Sequence, residues 1–430
     1  MTTAAAIQAH HGLPRVLAGL TAGAQAMSLA EHHETHGPLP AMASSELIEA
    51  VQASGLRGRG GADFPAARKL LAVAARKRVS AVVVNGSETE PASRKDELLL
   101  SRLPHLVLDG ATLAASAVGA PEVVVRVRED APRAIESLER AIAQRDESGP
   151  PISLHPSPGG YVSGEETAII HHLNGGRPLP VFVPPRPFER GYRNRPTLIQ
   201  NPETLAQIAL VARFGPHWYR ELGTDPDPGT ALVTISGAVV APGVYEMAFG
   251  TPMRDLIAAA GGPAEPLQAL LVGGYFGTWV SAGEAMHLRL AREDLRSVGC
   301  ALGSGVIVAL GERACGLHES ARVIGYLADQ SAGQCGPCVY GLRAVADTVA
   351  ALAGGASQPG DLGRVLRWCE EIKGRGACHH PDGAVRFVQS ALSVFRAEVE
   401  RHGRQRCTSR PAGLPLGVAP AAQTTTRRIT

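Results

Sequence analysis

Four arrangements of residues in this chain could do chemistry. The first is Gly55-Leu-Arg-Gly-Arg-Gly-Gly-Ala-Asp-Phe-Pro-Ala-Ala-Arg-Lys69, four glycines and four cations running into a helix start. Glycine lets backbone N–H groups approach a phosphate closely, a helix N-terminus favours an anion, and Arg and Lys supply neutralising charge. Alone it reads equally well as a basic surface turn. The second is Asn85-Gly-Ser-Glu-Thr-Glu-Pro91, at the end of an expected strand over 79–85. Open α/β sheets bind ligands at the C-terminal ends of their strands. An amide and two carboxylates there suit the N–H and carbonyl edges of a flavin, or a ribose; the plain alternative is an acidic turn.

The third is Gly159-Gly-Tyr-Val-Ser-Gly-Glu-Glu-Thr167, where glutamates open a helix and also complement its dipole. The fourth is Cys335-Gly-Pro-Cys338, paired with Cys378 after Gly374-Arg-Gly376. Three soft ligands fit an iron–sulfur cluster or zinc. Cys-x-x-Cys also matches a thioredoxin-type redox motif, but its flank lacks the expected strand. Cys300, Cys315, Cys369 and Cys407 show no partner pattern, and Cys369 is expected to be a buried structural thiol.

Elements that must position these groups follow from periodicity. Over 41–223, helical segments (44–53, 66–78, 106–118) alternate with β-branched strands (79–85, 123–127), the pattern of a wound α/β sheet. The Pro- and Arg-rich stretch 178–195 is expected to be an irregular loop. Over 224–310 the pattern becomes strand–turn–strand–helix–strand, resembling a β-grasp module. Over 311–405 helical spacing dominates and a bundle is expected. Residues 1–40 read as a lead-in whose Glu31-His-His-Glu-Thr-His36 is expected to be a solvated histidine cluster. Residues 406–430 are expected to be disordered.

Composition excludes several classes. The 430 residues carry 42 basic and 40 acidic side chains, a net charge of +2, without a nucleic-acid or membrane-surface signature. No apolar run approaches the roughly 20 residues of a membrane span, and no signal peptide is seen. Seven cysteines do not suggest a disulfide framework, and reduced cytoplasmic thiols are expected.

Taken in order, the motifs at 55–65, 85–96 (Asn-x-x-Glu-x-Glu-Pro-x-x-x-Lys-Asp), Pro104-His105, 159–168, Asn201-x-Glu-Thr-Leu205 and the cysteines resemble the NADH-oxidising FMN and iron–sulfur flavoprotein subunit of respiratory complex I. Equivalent subunits occur in NAD-linked hydrogenases and formate dehydrogenases. The resemblance covers about residues 41–400. It implies a Rossmann-like FMN domain (41–223), a small β-grasp, SLBB-like module (224–310) and a helical bundle (311–405) holding a [4Fe–4S] cluster. Carried over by position, FMN contacts come from Gly58, Gly60, Gly61, Lys69, Asn85, Glu88, Tyr161, Gly164, Glu165, Glu166 and Asn201. Phe64 and Glu90 fall where the family holds NADH, Glu90 and Glu166 are the catalytic candidates, and Cys335, Cys338 and Cys378 are the metal ligands. The expected partner is a ferredoxin-like or other redox subunit, in a chain that docks to a membrane complex without spanning the bilayer.

The departures shape what is expected. Leu71 and Ala72 stand where the family has an aromatic, Val183 and Arg186 where it has a lysine and a phenylalanine, Ser87 where it has an aspartate, and Asp63 where it has a glycine. NAD(H) binding is therefore expected to be weak, with Asp63 repelling an anionic dinucleotide and Arg186 leaving room for NADPH. Ala332 replaces the first cluster cysteine, so three ligands remain. The four-iron cluster is ranked first, with His379, His380 or solvent as fourth ligand; [3Fe–4S] and a three-cysteine, one-histidine zinc site are the alternatives.

Overall fold

The computed structural model describes residues 12–404 except 21, 22, 24 and 146–148, together with 407, 409 and 412–417. A four-stranded sheet is built from β1 (Ala81–Gly86), β2 (Val123–Arg128), β3 (Ile152–Ser157) and β4 (Thr197–Gln200). Its order is β3-β2-β1-β4 and every pairing is parallel. β1 is Val-rich because both its faces are covered: Val82 and Val84 join one core, while Ala81 and Val83 join another. The helices Pro104–Val118 and Pro202–Arg220 pack on the first face, and Glu166–Leu173 borders the second. The two long helices nearly touch at Gly110, where a Cβ would fall 1.9 Å from the Leu205 carbonyl oxygen.

The second sheet holds β5 (Thr230–Gly237), β6 (Gly243–Ala248), β7 (Leu267–Val272), β8 (Thr278–Ser281) and β9 (Val306–Gly311), in the order β6-β5-β9-β7-β8. Leu270, Val272, Ile307 and Ala309 face the helix Met253–Ala259; their neighbours Leu271, Val308 and Leu310 face the C-terminal helices. Period-two alternation thus feeds two apolar layers, which is why these strands read as unbroken hydrophobic runs. The helices Gly316–Asp329, Arg343–Gly354, Asp361–Ile372, His380–Val394 and Arg396–His402 complete the bundle. No helix of the described residues is long and apolar enough to cross a membrane.

Two expectations are corrected. Two of the three histidines of the 31–36 motif are not solvated: His32 is fully buried with Nε2 2.8 Å from Asp109, and His36 is buried beside it, while His33 is exposed as expected. Asp109 also binds Arg145 and Arg213, so one carboxylate gathers the helix Leu29–His36 onto the core. The tail is docked where it is described. The N–H groups of Ala412, Gly413 and Leu414 donate to Glu319, and the Tyr275 hydroxyl donates to the Pro415 carbonyl. The rest of the expected disordered stretch, like residues 1–11 of the lead-in, lies outside the described residues.

Burial makes the histidine cluster acid-sensitive. Desolvation lowers His36 and His105 to about 4 each, helped by the charges around them. The unfolded chain protonates its histidines near pH ~6.5. Between these values the unfolded state binds the extra protons, so stability is fully present above pH ~6.5 and is lost progressively towards pH ~4. Urea unfolding midpoints should fall between pH 7 and pH 5, and His105→Asn should flatten that slope.

Candidate functional site

The parallel sheet changes winding direction between β1 and β4, and the site forms at their C-terminal ends. Asn85 is the penultimate residue of β1, and its side-chain N–H donates to the Gly164 carbonyl at 3.0 Å. That bond joins the second motif to the third. Asn201 follows β4 and caps the helix Pro202–Arg220 by accepting from the Glu203 N–H at 3.0 Å. The glycine loop lies against Asn201: a Cβ on Gly60 would sit 3.2 Å from that of Asn201. Gly58 closes the loop by donating to the Phe64 carbonyl at 2.8 Å. Gly60 and Gly61 are exposed, and their amides have no partner among the described residues. Gly61 takes φ +100°, a conformation that favours glycine. Lys69, on the following helix Ala66–Ala74, reaches Glu166 at 3.5 Å, and Arg186 reaches the other oxygen of Glu166 at 3.6 Å.

Two uncommitted loop amides, a lysine on the helix that follows and an asparagine packed against the loop are groups that could hold a phosphorylated ligand. The polar residues present therefore fit a flavin nucleotide.

Several expected ligand contacts have other duties. Both oxygens of Glu88 are taken, by the Ser93 hydroxyl at 2.7 Å and the N–H groups of Asp96 and Glu97 at 2.9 and 2.8 Å. Glu88 caps the helix Lys95–Arg102, and burial raises its pKa despite those bonds. Glu165 caps the helix Glu166–Leu173 through the N–H groups of Thr167 and Ala168. Glu90 is enclosed at the junction of the three parts of the chain, accepting from Tyr161 Oη at 2.9 Å, the Tyr275 N–H at 2.8 Å and the Ala92 N–H at 3.3 Å. Burial pushes it up to about 7. Glu166, by contrast, is part-exposed, and Phe64 presents half its surface to solvent.

Asp63 does not carry the uncompensated charge expected of it. Its carboxylate receives Arg57 Nε at 2.8 Å and approaches Arg292, so its charge is neutralised locally. With Arg57, Lys95, Glu203, Arg292 and Gly303 it lines a cavity of about 220 Å³ that includes none of Lys69, Asn85, Tyr161 or Glu166. This cavity lies on the side of the glycine loop facing the second sheet. Sequence reasoning passed over Phe182, 76% exposed beside Val181, whose N–H is pinned to Thr167 Oγ1 at 2.9 Å. An aromatic within the Pro- and Arg-rich loop was the available signal.

Cys338 lies in a π-helical turn, Pro337–Leu342, with Cys335 just ahead of it, and the Cys338 N–H donates to the Cys335 carbonyl at 3.1 Å. Burial pushes Cys338 up to about 12, the neighbouring Cys335 and Cys378 adding to it. Burial also raises Cys378, with Glu165 and Cys335 contributing charge. The three cysteines therefore share one neighbourhood next to the glutamate turn, and Tyr161 N–H donates to Gln330 Oε1 at 2.9 Å across the same boundary. They are not gathered as tightly as ligands of a single ion. Three part-buried thiols spaced more widely suit a cluster, with Ala332 offering no fourth sulfur. His380 is not positioned as that ligand. Its Nε2 lies 2.8 Å from the Leu327 carbonyl and its ring packs on Tyr161 and Phe276. His379 is exposed.

A phosphate cradle at the switch point of a parallel sheet, backed by a β-grasp sheet and a thiol-bearing bundle, defines a redox-cofactor protein. Residues 51–210 match the Nuo51 FMN-binding domain, 232–274 the SLBB domain and 318–402 the NADH-ubiquinone oxidoreductase-F iron-sulfur binding region. The second NADH-quinone oxidoreductase F-subunit of Rhizobium meliloti (strain 1021) is 33% identical over 377 residues, 84% of this chain and 89% of that protein. The NADH-quinone oxidoreductase F-subunit of Escherichia coli (strain K12) is 32% identical, covering 84% and 85%. The NAD+-reducing [NiFe]-hydrogenase in its H2-reduced state superposes with a TM-score of 0.77 at 31% identity, over 86% of this chain; the chain spans 64% of that hydrogenase chain's length. The chain belongs to the NADH-quinone oxidoreductase F-subunit family. It is an electron-transfer flavoprotein subunit with an FMN-binding domain and an iron–sulfur-binding region.

Tyr161 ties these parts together through Glu90. Tyr161→Phe should lower the unfolding free energy by about 1–2 kcal/mol, the worth of a hydrogen bond to a buried carboxyl group. Thermal unfolding of the full chain measures it.

Proposed function

We propose that FMN lies along the C-terminal edge of the parallel sheet, its phosphate on Gly60, Gly61 and Lys69 with Gly58 holding the loop closed, and its ribityl chain and ring towards Asn85, Gly164 and Asn201. The observation that carries this reading is the Asn85–Gly164 hydrogen bond, which brings the strand end and the glutamate turn to one edge beside the free loop amides. Glu88, Glu165 and Tyr161 act as positioning residues, holding the helix starts and the junction. FMN supplies the exchange between two-electron and one-electron transfer. Cys335, Cys338 and Cys378 hold the iron–sulfur cluster. In this reading the functional units are 41–223, 224–310 and 311–405, and the electron acceptor is a ferredoxin-like or other redox subunit.

The donor side is formed by Phe64, Phe182, Glu166 and Arg186. These exposed aromatics and this cation support a dinucleotide donor, NADH or NADPH, with Glu166 at the reacting edge. Glu90, enclosed by three donors, serves as a positioning residue for Tyr161. A second reading, in which the donor is not a dinucleotide, rests on Leu71, 45% exposed where the family carries an aromatic.

Protein purified without oxygen should contain FMN and iron. Lys69→Ala should weaken FMN binding about 10–100-fold, the loss of a charged hydrogen bond of about 1.5–3 kcal/mol. Quenching of flavin fluorescence measures it, and protein that stays flavin-free in excess FMN would rule the reading out. Anaerobic titration with NADH and NADPH, followed by flavin bleaching, separates the two donor readings.

A further inference from the structure

We propose that Cys315, His402 and Cys407, with Glu398 as fourth ligand, bind a zinc ion that fastens the C-terminal segment to the first helix of the bundle. Among the described residues, Cys315, His402 and Cys407 are the one group of three whose ligand atoms all lie within 4.8 Å of one another. Cys315 Sγ is 3.6 Å from His402 Nε2 and 3.3 Å from Glu398 Oε2. A tetrahedral zinc with Zn–S of about 2.3 Å and Zn–N or Zn–O of about 2.0–2.2 Å sets such atoms about 3.5–3.8 Å apart. Cys315, His402 and Cys407 are thus already gathered; Glu398 Oε2 touches Cys315 but lies outside that group, so binding would draw Glu398 and Cys407 inward.

Its surroundings call for a cation. Cys315, Glu398 and His402 are buried, each at most 4% exposed. No Lys, Arg or His nitrogen of the described residues lies within 4.0 Å of the Glu398 carboxylate. A buried carboxylate without a cation is costly, and a divalent ion removes that cost. Glu398 is also oriented as a ligand would be. Gln268 Nε2 donates to Oε1 at 2.6 Å and the Leu317 N–H to Oε2 at 2.7 Å.

Two thiolates, an imidazole and a carboxylate suit zinc, and the two thiol protons pass to solvent as the Zn–S bonds form. The centre is distinct from Cys335, Cys338 and Cys378. Its donors come from the start of one helix, the last helix and the segment beyond it, so no short cysteine motif announces it. The same C-terminal segment goes on to engage Glu319 and Tyr275, and the ion would hold it at its root.

The test is zinc and iron content of the full chain purified anaerobically, with Cys407→Ser and His402→Gln alongside. The expected result is one zinc per chain, lost in each variant while iron and FMN stay at wild-type levels. Cobalt-loaded wild-type protein should show a thiolate-to-cobalt charge-transfer band that Cys407→Ser abolishes, which keeps the test decisive if His402→Gln fails to fold. Zinc that is absent from the wild type or unchanged in Cys407→Ser, or a Cys315–Cys407 disulfide found by mass spectrometry of the purified chain, would overturn the proposal.

Discussion

Lys95 reaches Asp96 at 2.9 Å, Glu203 at 3.0 Å and Asn201 at 3.3 Å, while Arg59 approaches Glu203 at 3.7 Å. None of the four charged side chains is more than 7% exposed. Two cations and two anions cancel, which is what makes their burial tolerable. Burial alone would lower the lysine's pKa, but Asp96 and Glu203 outweigh it and hold the ammonium charged. Arg59 belongs to the glycine loop, Lys95 and Asp96 follow the strand-end motif, and Glu203 follows Asn201. The network therefore locks three separate stretches of sequence, the glycine loop, the stretch after the strand-end motif and the start of the helix after β4, against one another. Removing one partner would strand an opposite charge in the core and release the loop.

A second constraint joins the remaining parts. The five-stranded sheet has no solvent face: one side packs on its own helix and the other on the bundle. The bundle is thereby fixed against the middle module, and Glu90, Tyr161 and Tyr275 close the corner where both meet the first sheet. The Tyr161 N–H also donates to Gln330 Oε1 across that corner, which ties the bundle to the glutamate turn's side of the first domain.

Much of this was legible in the residues. Val-rich runs marked β1 and β2, glycine and asparagine marked the strand ends, and the Cys-x-x-Cys marked the helix that carries two thiols. Local patterns of this kind report themselves because neighbours in sequence remain neighbours in space. The helix after Glu88 and the strand β8 were missed, since the first is capped by a glutamate several residues away and the second is short.

What the sequence by itself determined was the order of the elements, the family to which they belong and the chemical types at the site. The tertiary structure decided which of those groups are free to act. Glu88 and Glu90 look like ligands in the sequence, yet both oxygens of each accept from backbone N–H groups or hydroxyls, and Glu165 gives one oxygen to a helix start, because the ends of buried helices and junctions must satisfy their donors internally. Asp63 looks repulsive, yet Arg57 neutralises it. Cys315 and Cys407 lie far apart in the chain, and only the fold brings them together on His402. Charge compensation and hydrogen-bond satisfaction are long-range requirements, and no local pattern encodes which partner meets them.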